Sequence, residues 1–277
     1  MLDFLLVALA PMNRTRVKQL LKSGRVLVNG DSTTRHDHPV GPGDRVSVAH
    51  EVPVAAIPDR KGIVAIHQDD AIVVIDKPAG LLTVATETEK LDTAFVRLSE
   101  YLAARHQGRP YVVHRLDRET SGLLMFARSA EVRDTLQSGW DVVSKTYLAV
   151  VEGKPDPGEG VIENFLSEGR DLRVRASNRA SADAKRAVTR YKTVSTRGGY
   201  SLVEVILETG RKHQIRVHLS RLGCPVTGDA MYGAKTDPAK RLALHAWKLA
   251  FTHPVTGERV ELESPFPVKL RHLAARY

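Results

Sequence analysis

The chain has a single cysteine, Cys224, among its 277 residues. One cysteine excludes a disulfide within the chain and any zinc site built from cysteines, and it is typical of a reducing compartment. We therefore expect a cytoplasmic protein. Aromatic residues make up only 5% of the chain, but 42% of the residues are hydrophobic, which is sufficient for a substantial core.

Long hydrophobic runs are also missing. The apolar stretch FLLVALA at residues 4–10 is too short to span a membrane. It follows Asp3 rather than a basic segment and precedes no convincing cleavage site, so it does not read as a signal peptide. We interpret it as part of the core and predict no contact with membranes.

The common cofactor motifs are absent from the sequence. It contains no Walker loop, no Gly-x-Gly-x-x-Gly, no His-Glu-x-x-His and no internal repeat. Its eleven histidines show no metal-ligand spacing: His213 and His218 are five residues apart, whereas a helical pair that binds one metal is normally four apart. We predict neither a metal nor another cofactor.

Positive charge is what the sequence has in excess. Lys and Arg number 41 against 32 Asp and Glu, which gives a net charge of +9. Such a field attracts polyanions, so a partner rich in phosphate is favoured. Charge alone leaves RNA, DNA and acidic lipid as alternatives.

Residues 1–50 are predicted to form a small basic module. The period of residues 14–23 predicts a helix with an apolar stripe (Val17, Leu20 and Leu21) beside a basic edge (Arg14, Lys18 and Lys22), with Gly24 at its end. The segments RVLVNG and PGDRVSV then predict two short strands around an Asn-Gly turn. This order resembles the small RNA-binding module named after ribosomal small-subunit protein S-four. The alternative is a solvated basic helix on an ordinary small domain.

A linker and a larger domain are predicted to follow. Residues 51–60 contain two prolines and no periodicity, which is typical of a linker. Residues 61–277 contain several segments with strand character, among them a hairpin that turns at 197–200, and helical patterns at 93–106 and 213–223. We therefore predict an α+β domain in which helices flank a mixed, mainly antiparallel sheet.

The segment HRLDRETSGLL at residues 114–124 places Asp117 between Arg115 and Arg118. Its simplest interpretation is a charged surface turn, because most exposed ion pairs contribute little. Two further segments favour a functional site instead: SKTYLAVVEG contains Lys145 and Tyr147, and TGRKHQIRVHL contains Arg216.

Together these segments, with VVIDKPAGLLTV before them and LHAWKLAFTHPVTGE after them, resemble the RNA pseudouridine synthases of the bacterial large-ribosomal-subunit family. The resemblance covers residues from about 70 to 267, in the family's order. It implies isomerisation of a selected uridine in RNA to pseudouridine, without metal or cofactor. His114 at the head of HRLD resembles this group rather than the small-subunit group, and Lys212 replaces the family's usual Thr.

The resemblance also implies roles for individual residues. Asp117 matches the catalytic aspartate, Arg216 its arginine partner, and Tyr147 an active-site tyrosine that can stack on the flipped base. Arg115 matches a residue that enters the duplex where the base leaves it. Ile215 is expected to form an apolar wall, and Lys145 to meet phosphate or the rim of the site, although packing and solvated-strand roles remain alternatives.

Other functions remain open from the residues alone. A nucleoside or glycoside hydrolase also attacks an anomeric carbon, but it normally needs two carboxylates, and Glu119 is only two residues from Asp117. A non-catalytic RNA-binding ribosome-assembly factor is the second alternative. Large-subunit ribosomal RNA is the favoured substrate and transfer RNA the second; nucleophilic addition and elimination both remain possible at Asp117, and a monomer is the default expectation.

Overall fold

The computed structural model describes residues 1–22, 26–48, 64–87 and 89–274. Gly24 and the predicted linker at 51–60 lie outside these residues. Within the described ranges, no helix combines the length and apolarity needed to cross a membrane.

The N-terminal module contains two helices, α1 (Leu2–Ala8) and α2 (Arg14–Lys22), and the strands β1 (Val26–Val28), β2 (Asp31–Thr33) and β3 (Val46–Val48). β1 is the central strand and pairs antiparallel with both neighbours. Asn29 and Gly30 both have positive φ, 54° and 95°, as the tight turn between β1 and β2 requires. The helix at α2 and this Asn-Gly turn therefore match the sequence prediction.

The core of the module is small. Leu5 of α1 packs with Val17, Leu20 and Leu21 of α2 and with Val26 of β1. The apolar segment at residues 4–10 is only partly in this core, because Phe4 is 47% and Val7 81% exposed. The prediction that the whole segment is core was thus too broad: one face of a short helix is buried and the other is not.

The larger domain is built on one eleven-stranded sheet. Along the main path the order is β10-β9-β11-β12-β8-β13-β7-β5-β4, with β14 paired to β13 and β6 paired to β7. Its strands are β4 (Val64–Gln68), β5 (Ile72–Lys77), β6 (Tyr111–Val112), β7 (Ser121–Ala127), β8 (Ser144–Glu152), β9 (Glu159–Glu168), β10 (Val174–Ser177), β11 (Lys185–Arg197), β12 (Tyr200–Leu207), β13 (Leu244–Thr252) and β14 (Arg259–Glu263). Among these strands β13 and β7 are parallel and the other pairs are antiparallel. The predicted α+β class with a mixed, mainly antiparallel sheet is confirmed.

Helices cover both faces of this sheet: α3 (Ala94–Ala103), α4 (Ala130–Ser138), α5 (Gln214–Arg221) and α6 (Val268–Ala274). The strand β7 is buried at every position, since alternate residues face different layers. Leu124 and Phe126 pack with α3, whereas Leu123 and Met125 pack in the layer that contains Leu136 of α4. Consequently β7 is a rigid support for the loop that precedes it.

Gly122 allows β7 and β13 to approach closely. Its φ is +109°, and a Cβ at this position would lie 2.2 Å from the carbonyl oxygen of Ala246. No other residue type fits such a contact. The glycine therefore fixes the parallel pairing of His245 and Ala246 with the start of β7.

Some elements were not predicted from the sequence, notably β9, β10 and α4. Along β9, Asn164 and Leu166 are buried while Glu159, Val161 and Glu163 are exposed. Its apolar residues are therefore split between an exposed and a buried face, and the alternation is too weak to identify by sequence alone. The predicted hairpin is present, with β11 and β12 joined at Gly198 and Gly199.

Candidate active site

Asp117 lies in a tight turn between β6 and β7. The backbone N–H of Thr120 donates to the carbonyl of Asp117 at 3.1 Å, which closes the turn just before β7 begins. The Asp117 side chain is 27% exposed. The carboxylate is therefore partly open to solvent.

The segment after β5 holds this turn in place. Thr83 Oγ1 donates to the carbonyl of Leu116 at 2.9 Å and accepts the N–H of the same residue at 3.1 Å. Gly80 and Arg118 are joined in both directions, from the glycine N–H to the arginine carbonyl at 2.9 Å and from the guanidinium Nε to the glycine carbonyl at 3.0 Å. Four hydrogen bonds thus fix the backbone on either side of Asp117.

Lys77 at the end of β5 places a buried amino group beneath the same turn. Its side chain is fully buried, and Nζ donates to the carbonyls of Pro78, Leu81 and Arg118 at 3.0, 2.8 and 3.1 Å. Burial lowers the pKa of Lys77 to about 7, against the charges of Glu119 and Asp117, which favour the ammonium. The lysine therefore joins both segments of backbone below the carboxylate.

Arg216 on α5 faces Asp117 from the other side. Its Nη1 is 3.7 Å from Asp117 Oδ2, while Nε and Nη2 donate to the two oxygens of Asp229 at 2.7 and 2.8 Å. Arg216 and Asp229 are 8% and 2% exposed, so this bidentate pair is held away from water. Although burial opposes the charge, Asp229 and Asp117 together raise the pKa of Arg216.

Tyr147 on β8 completes the arrangement. Its ring is half-buried and packs against two core layers. Burial raises the pKa of its hydroxyl well above the ordinary value, and the charge of Asp117 raises it further. The phenol is therefore protonated at neutral pH and can donate a hydrogen bond.

These groups form a coherent chemical site. The partly exposed carboxylate of Asp117 faces the guanidinium of Arg216, which the ion pair with Asp229 holds in place. The neutral phenol of Tyr147 belongs to the same site. An ionised carboxylate in such a place can attack or stabilise an electron-poor carbon, or accept a proton. The structure places Arg216 beside Asp117, the two residues that the resemblance pairs; their catalytic roles stay a prediction.

Comparison with known proteins identifies the group to which this site belongs. The family model described as RNA pseudouridylate synthase matches residues 71–221, which is more than half of the chain. The chain belongs to this family. The match includes Asp117, Tyr147 and Arg216, whereas Asp229, the partner of Arg216, lies beyond its end.

Individual relatives agree with this assignment over nearly the whole chain. The uncharacterized RNA pseudouridine synthase YlyB of Bacillus subtilis (strain 168) is 36% identical over 94% of this chain and 88% of its own. The ribosomal large subunit pseudouridine synthase D of Neisseria meningitidis is 34% identical over 98% of this chain and 77% of its own. The protein is therefore an RNA pseudouridine synthase, an isomerase.

Solved structures show the same fold. Human RNA pseudouridylate synthase domain containing 4 aligns with a TM-score of 0.63 and 29% identity, covering 75% of this chain and 91% of its own. Human RNA pseudouridylate synthase domain containing 1 aligns with a TM-score of 0.61 and 26% identity, covering 77% of this chain and 88% of its own.

The remaining predicted residues of the synthase fall into different environments. Arg115 is exposed next to Asp117, where its guanidinium is free to reach a large ligand. Ile215 is 4% exposed and lies in the core cluster against which Tyr147 packs. An isoleucine there can support the tyrosine as well as the core.

Lys145 differs from its prediction. It is only 5% exposed, and its Nζ donates to the carbonyl of Trp140 at 2.8 Å. Neither a phosphate contact nor a solvated strand position fits this burial, because the ammonium is already engaged inside the protein. Lys212, the departure from the family pattern, pairs with Glu168, and its charge is accordingly matched.

The three basic residues predicted to form an edge of the N-terminal module lie on one helix. Arg14, Lys18 and Lys22 all lie on α2, and the side chains of Arg14 and Lys18 are exposed. Both side chains are therefore accessible to a polyanion.

Sequence reasoning missed four residues around Asp117: Lys77, His213, Asp229 and Tyr232. His213 lies 4.0 Å from Asp117, and Asp229 binds Arg216. The centre of the Tyr232 ring lies 4.9 Å from the Arg216 guanidinium. His213, Asp229 and Tyr232 all follow Gly210 in one short stretch, so the sequence did show an acid and aromatic side chains near the helix that carries Arg216. What was not visible is that the chain folds back to bring Asp229 against α5.

Proposed function

We propose that this synthase converts specific uridines in structured RNA to pseudouridine, with large-subunit ribosomal RNA as the first candidate substrate and transfer RNA as the second. The names of several relatives, ribosomal large subunit pseudouridine synthase D, support the ribosomal choice. The net charge of +9 favours a polyanionic partner but does not distinguish between the two RNAs.

The reaction exchanges one bond for another within the same nucleotide. The bond from N1 of uracil to C1′ of ribose breaks, the base turns, and C5 bonds to C1′. C5 then loses its proton while N1 gains one, so that the product has the mass of the substrate. Asp117 is the carboxylate for this step, acting either on C1′ as a nucleophile or as the base of an elimination.

The single observation that carries this proposal is the position of Arg216. Its guanidinium faces Asp117 at 3.7 Å but is bound on its other edge by Asp229. A cation fixed in this way faces the carboxylate without moving onto it and blocking it. The carboxylate therefore stays accessible.

A uridine inside an RNA helix cannot reach such a site while it is stacked, so the target base must be flipped out. In this proposal Tyr147 stacks on the flipped uracil and Ile215, in a core cluster against which Tyr147 packs, provides an apolar wall. Arg115, exposed beside Asp117, is suited to fill the gap that the base leaves. The basic edge of α2 provides a second contact to RNA phosphates.

The test is pseudouridine mapping of ribosomal and transfer RNA from cells with and without this protein, followed by complementation. The wild-type chain should restore one or a few lost sites and Asp117→Asn should restore none. Glu119→Gln is the matched control, since Glu119 is a 50% exposed acid in the same turn.

Each outcome has a clear meaning. Restoration of sites by Asp117→Asn would overturn the role of Asp117. Failure of Glu119→Gln would favour chemistry with two carboxylates, which release of free uracil would then identify as hydrolysis. If cells without the protein have the same pseudouridine sites as cells shown to express it, the non-catalytic role in ribosome assembly gains support.

A further inference from the structure

His213 lies between Asp117 and Tyr232 at the start of α5. Its side chain is 13% exposed, with Nε2 4.0 Å from Asp117 Oδ2 and Nδ1 2.8 Å from the hydroxyl of Tyr232. The residue has φ +53° and ψ +16°, a left-handed conformation that is uncommon for histidine. Such a conformation costs free energy, and residues that adopt it concentrate at functional sites.

The hydrogen bonds of Tyr232 favour one tautomer of His213. The tyrosine oxygen accepts the backbone N–H of Val174 at 3.1 Å, so its own hydroxyl proton is available for the imidazole. If this proton is donated to Nδ1, the Val174 N–H, the Tyr232 hydroxyl and Nδ1 of His213 each have a hydrogen-bond partner. The neutral imidazole then carries its proton on Nε2, which faces Asp117.

We propose that His213 is a positioning residue of the isomerisation, whose Nε2–H donates a hydrogen bond to Oδ2 of Asp117 once RNA is bound. The proposal rests on the role of Asp117 given above. The present separation of 4.0 Å is too long for a hydrogen bond and must close by roughly 1 Å. Catalytic hydrogen bonds often tighten in this way when substrate binds.

The surroundings of His213 favour its neutral form. Burial lowers its pKa, as do the positive charges of Arg216 and Lys212, while Asp117 and Asp229 act in the opposite direction. A neutral donor can orient the carboxylate without competing with Arg216 for its charge. Arg216 thus stabilises the charge of Asp117, and His213 fixes which oxygen faces the sugar.

Two substitutions separate this role from a purely structural one. In His213→Asn the side-chain amide ends near the position of Nδ1; it suits the left-handed backbone and can reach Tyr232, but not Asp117. In His213→Gln the amide extends to the position of Nε2 and can donate to Asp117, although glutamine suits the backbone less well. A structural role favours Asn over Gln, whereas positioning favours Gln over Asn.

The measurement is the single-turnover release of tritium from RNA labelled at uridine C5, using large-subunit ribosomal RNA and transfer RNA transcribed in vitro. His213→Asn should lower the rate about 10- to 100-fold, as expected for loss of one hydrogen bond to a charged group, without weakening RNA binding. His213→Gln should recover much of that rate. Tyr232→Phe, which removes the proton that fixes the tautomer, should also slow the reaction.

Several results would overturn the inference. One is a wild-type rate in a folded His213→Asn or Tyr232→Phe variant, and another is a faster reaction with Asn than with Gln, with thermal melting as the check on folding. Asp117→Asn is measured alongside. If it retains activity, the proposed function of Asp117 fails as well; if it is inactive while His213→Asn is normal, only the role of His213 is wrong.

Discussion

Arg216 and Asp229 form a buried bidentate ion pair that determines where the guanidinium points. The two hydrogen bonds, 2.7 and 2.8 Å long, leave Nη1 of the arginine facing Asp117. Because a guanidinium is planar, fixing one edge fixes the other. Asp229 therefore controls the electrostatic environment of Asp117 without touching it.

Replacing Asp229 should damage both stability and catalysis. In Asp229→Asn the buried Arg216 loses its counter-charge, and we expect the free energy of unfolding to fall by about 3 kcal/mol. The reaction rate should fall as well, since the guanidinium is no longer held beside Asp117. Chemical denaturation and single-turnover tritium release measure the two effects.

The control is Asp134→Asn, which removes an exposed partner of Arg133. An exposed pair contributes about 0–1 kcal/mol, so this variant should resemble the wild type. Equal behaviour of the two variants would contradict the role given to Asp229.

Lys77 is predicted to act through the turn that carries Asp117. Methionine has a similar length but no donor, so Lys77→Met leaves the carbonyls of Pro78, Leu81 and Arg118 without their shared partner. We expect a clear loss of single-turnover rate with little change in RNA affinity. The control is Lys90→Met, which removes an exposed lysine; a rate in Lys77→Met as high as in this control would show that the turn holds without Lys77.

His218 should make the protein less stable in acid. It is fully buried on α5, its Nε2 is 3.0 Å from Asn164 Oδ1, and burial, with Arg221, lowers its pKa to about 4. The unfolded chain binds a proton near pH 6.5, and the folded one only near pH 4, so stability falls as the pH drops between these values. At about pH 5 this one group should cost about 2 kcal/mol relative to neutral pH.

His218→Gln isolates that contribution, because its amide can keep the bond to Asn164 but cannot titrate. Denaturation curves at about pH 7 and about pH 5 should therefore differ less for the variant than for the wild type. Parallel losses of stability in the two proteins would show that His218 is not responsible.

The N-terminal module should contribute to RNA affinity but not to chemistry. Substituting Arg14 and Lys18 by alanine together removes two exposed charges from α2. The slope of log affinity against log salt should become shallower by roughly 0.7–0.9 per lost phosphate contact, while the rate at saturating RNA stays the same. An unchanged slope would mean that this edge of the module does not meet RNA.

The sequence was sufficient for the fold class and for the main catalytic candidates. Alternating residues predicted the hairpin of β11 and β12, because a strand buried on one face carries that alternation directly. The two segments that contain Asp117 and Arg216 predicted a shared site only through their resemblance to the motifs of the family. Each motif is a local pattern that the sequence records directly, but the meeting of the two residues is not.

What only the tertiary structure decided is how distant residues meet. Lys145 was expected to meet phosphate or the rim of the site. Its side chain is instead buried and its Nζ donates to the carbonyl of Trp140, because packing around the strand decides which of its side chains reach solvent. Lys77 comes from the end of β5, and His213 and Asp229 come from the stretch after Gly210; they converge around Asp117 and Arg216 only after the sheet has formed. Their contacts depend on the packing of β5, α5 and the loop after α5, which no local pattern in the sequence specifies.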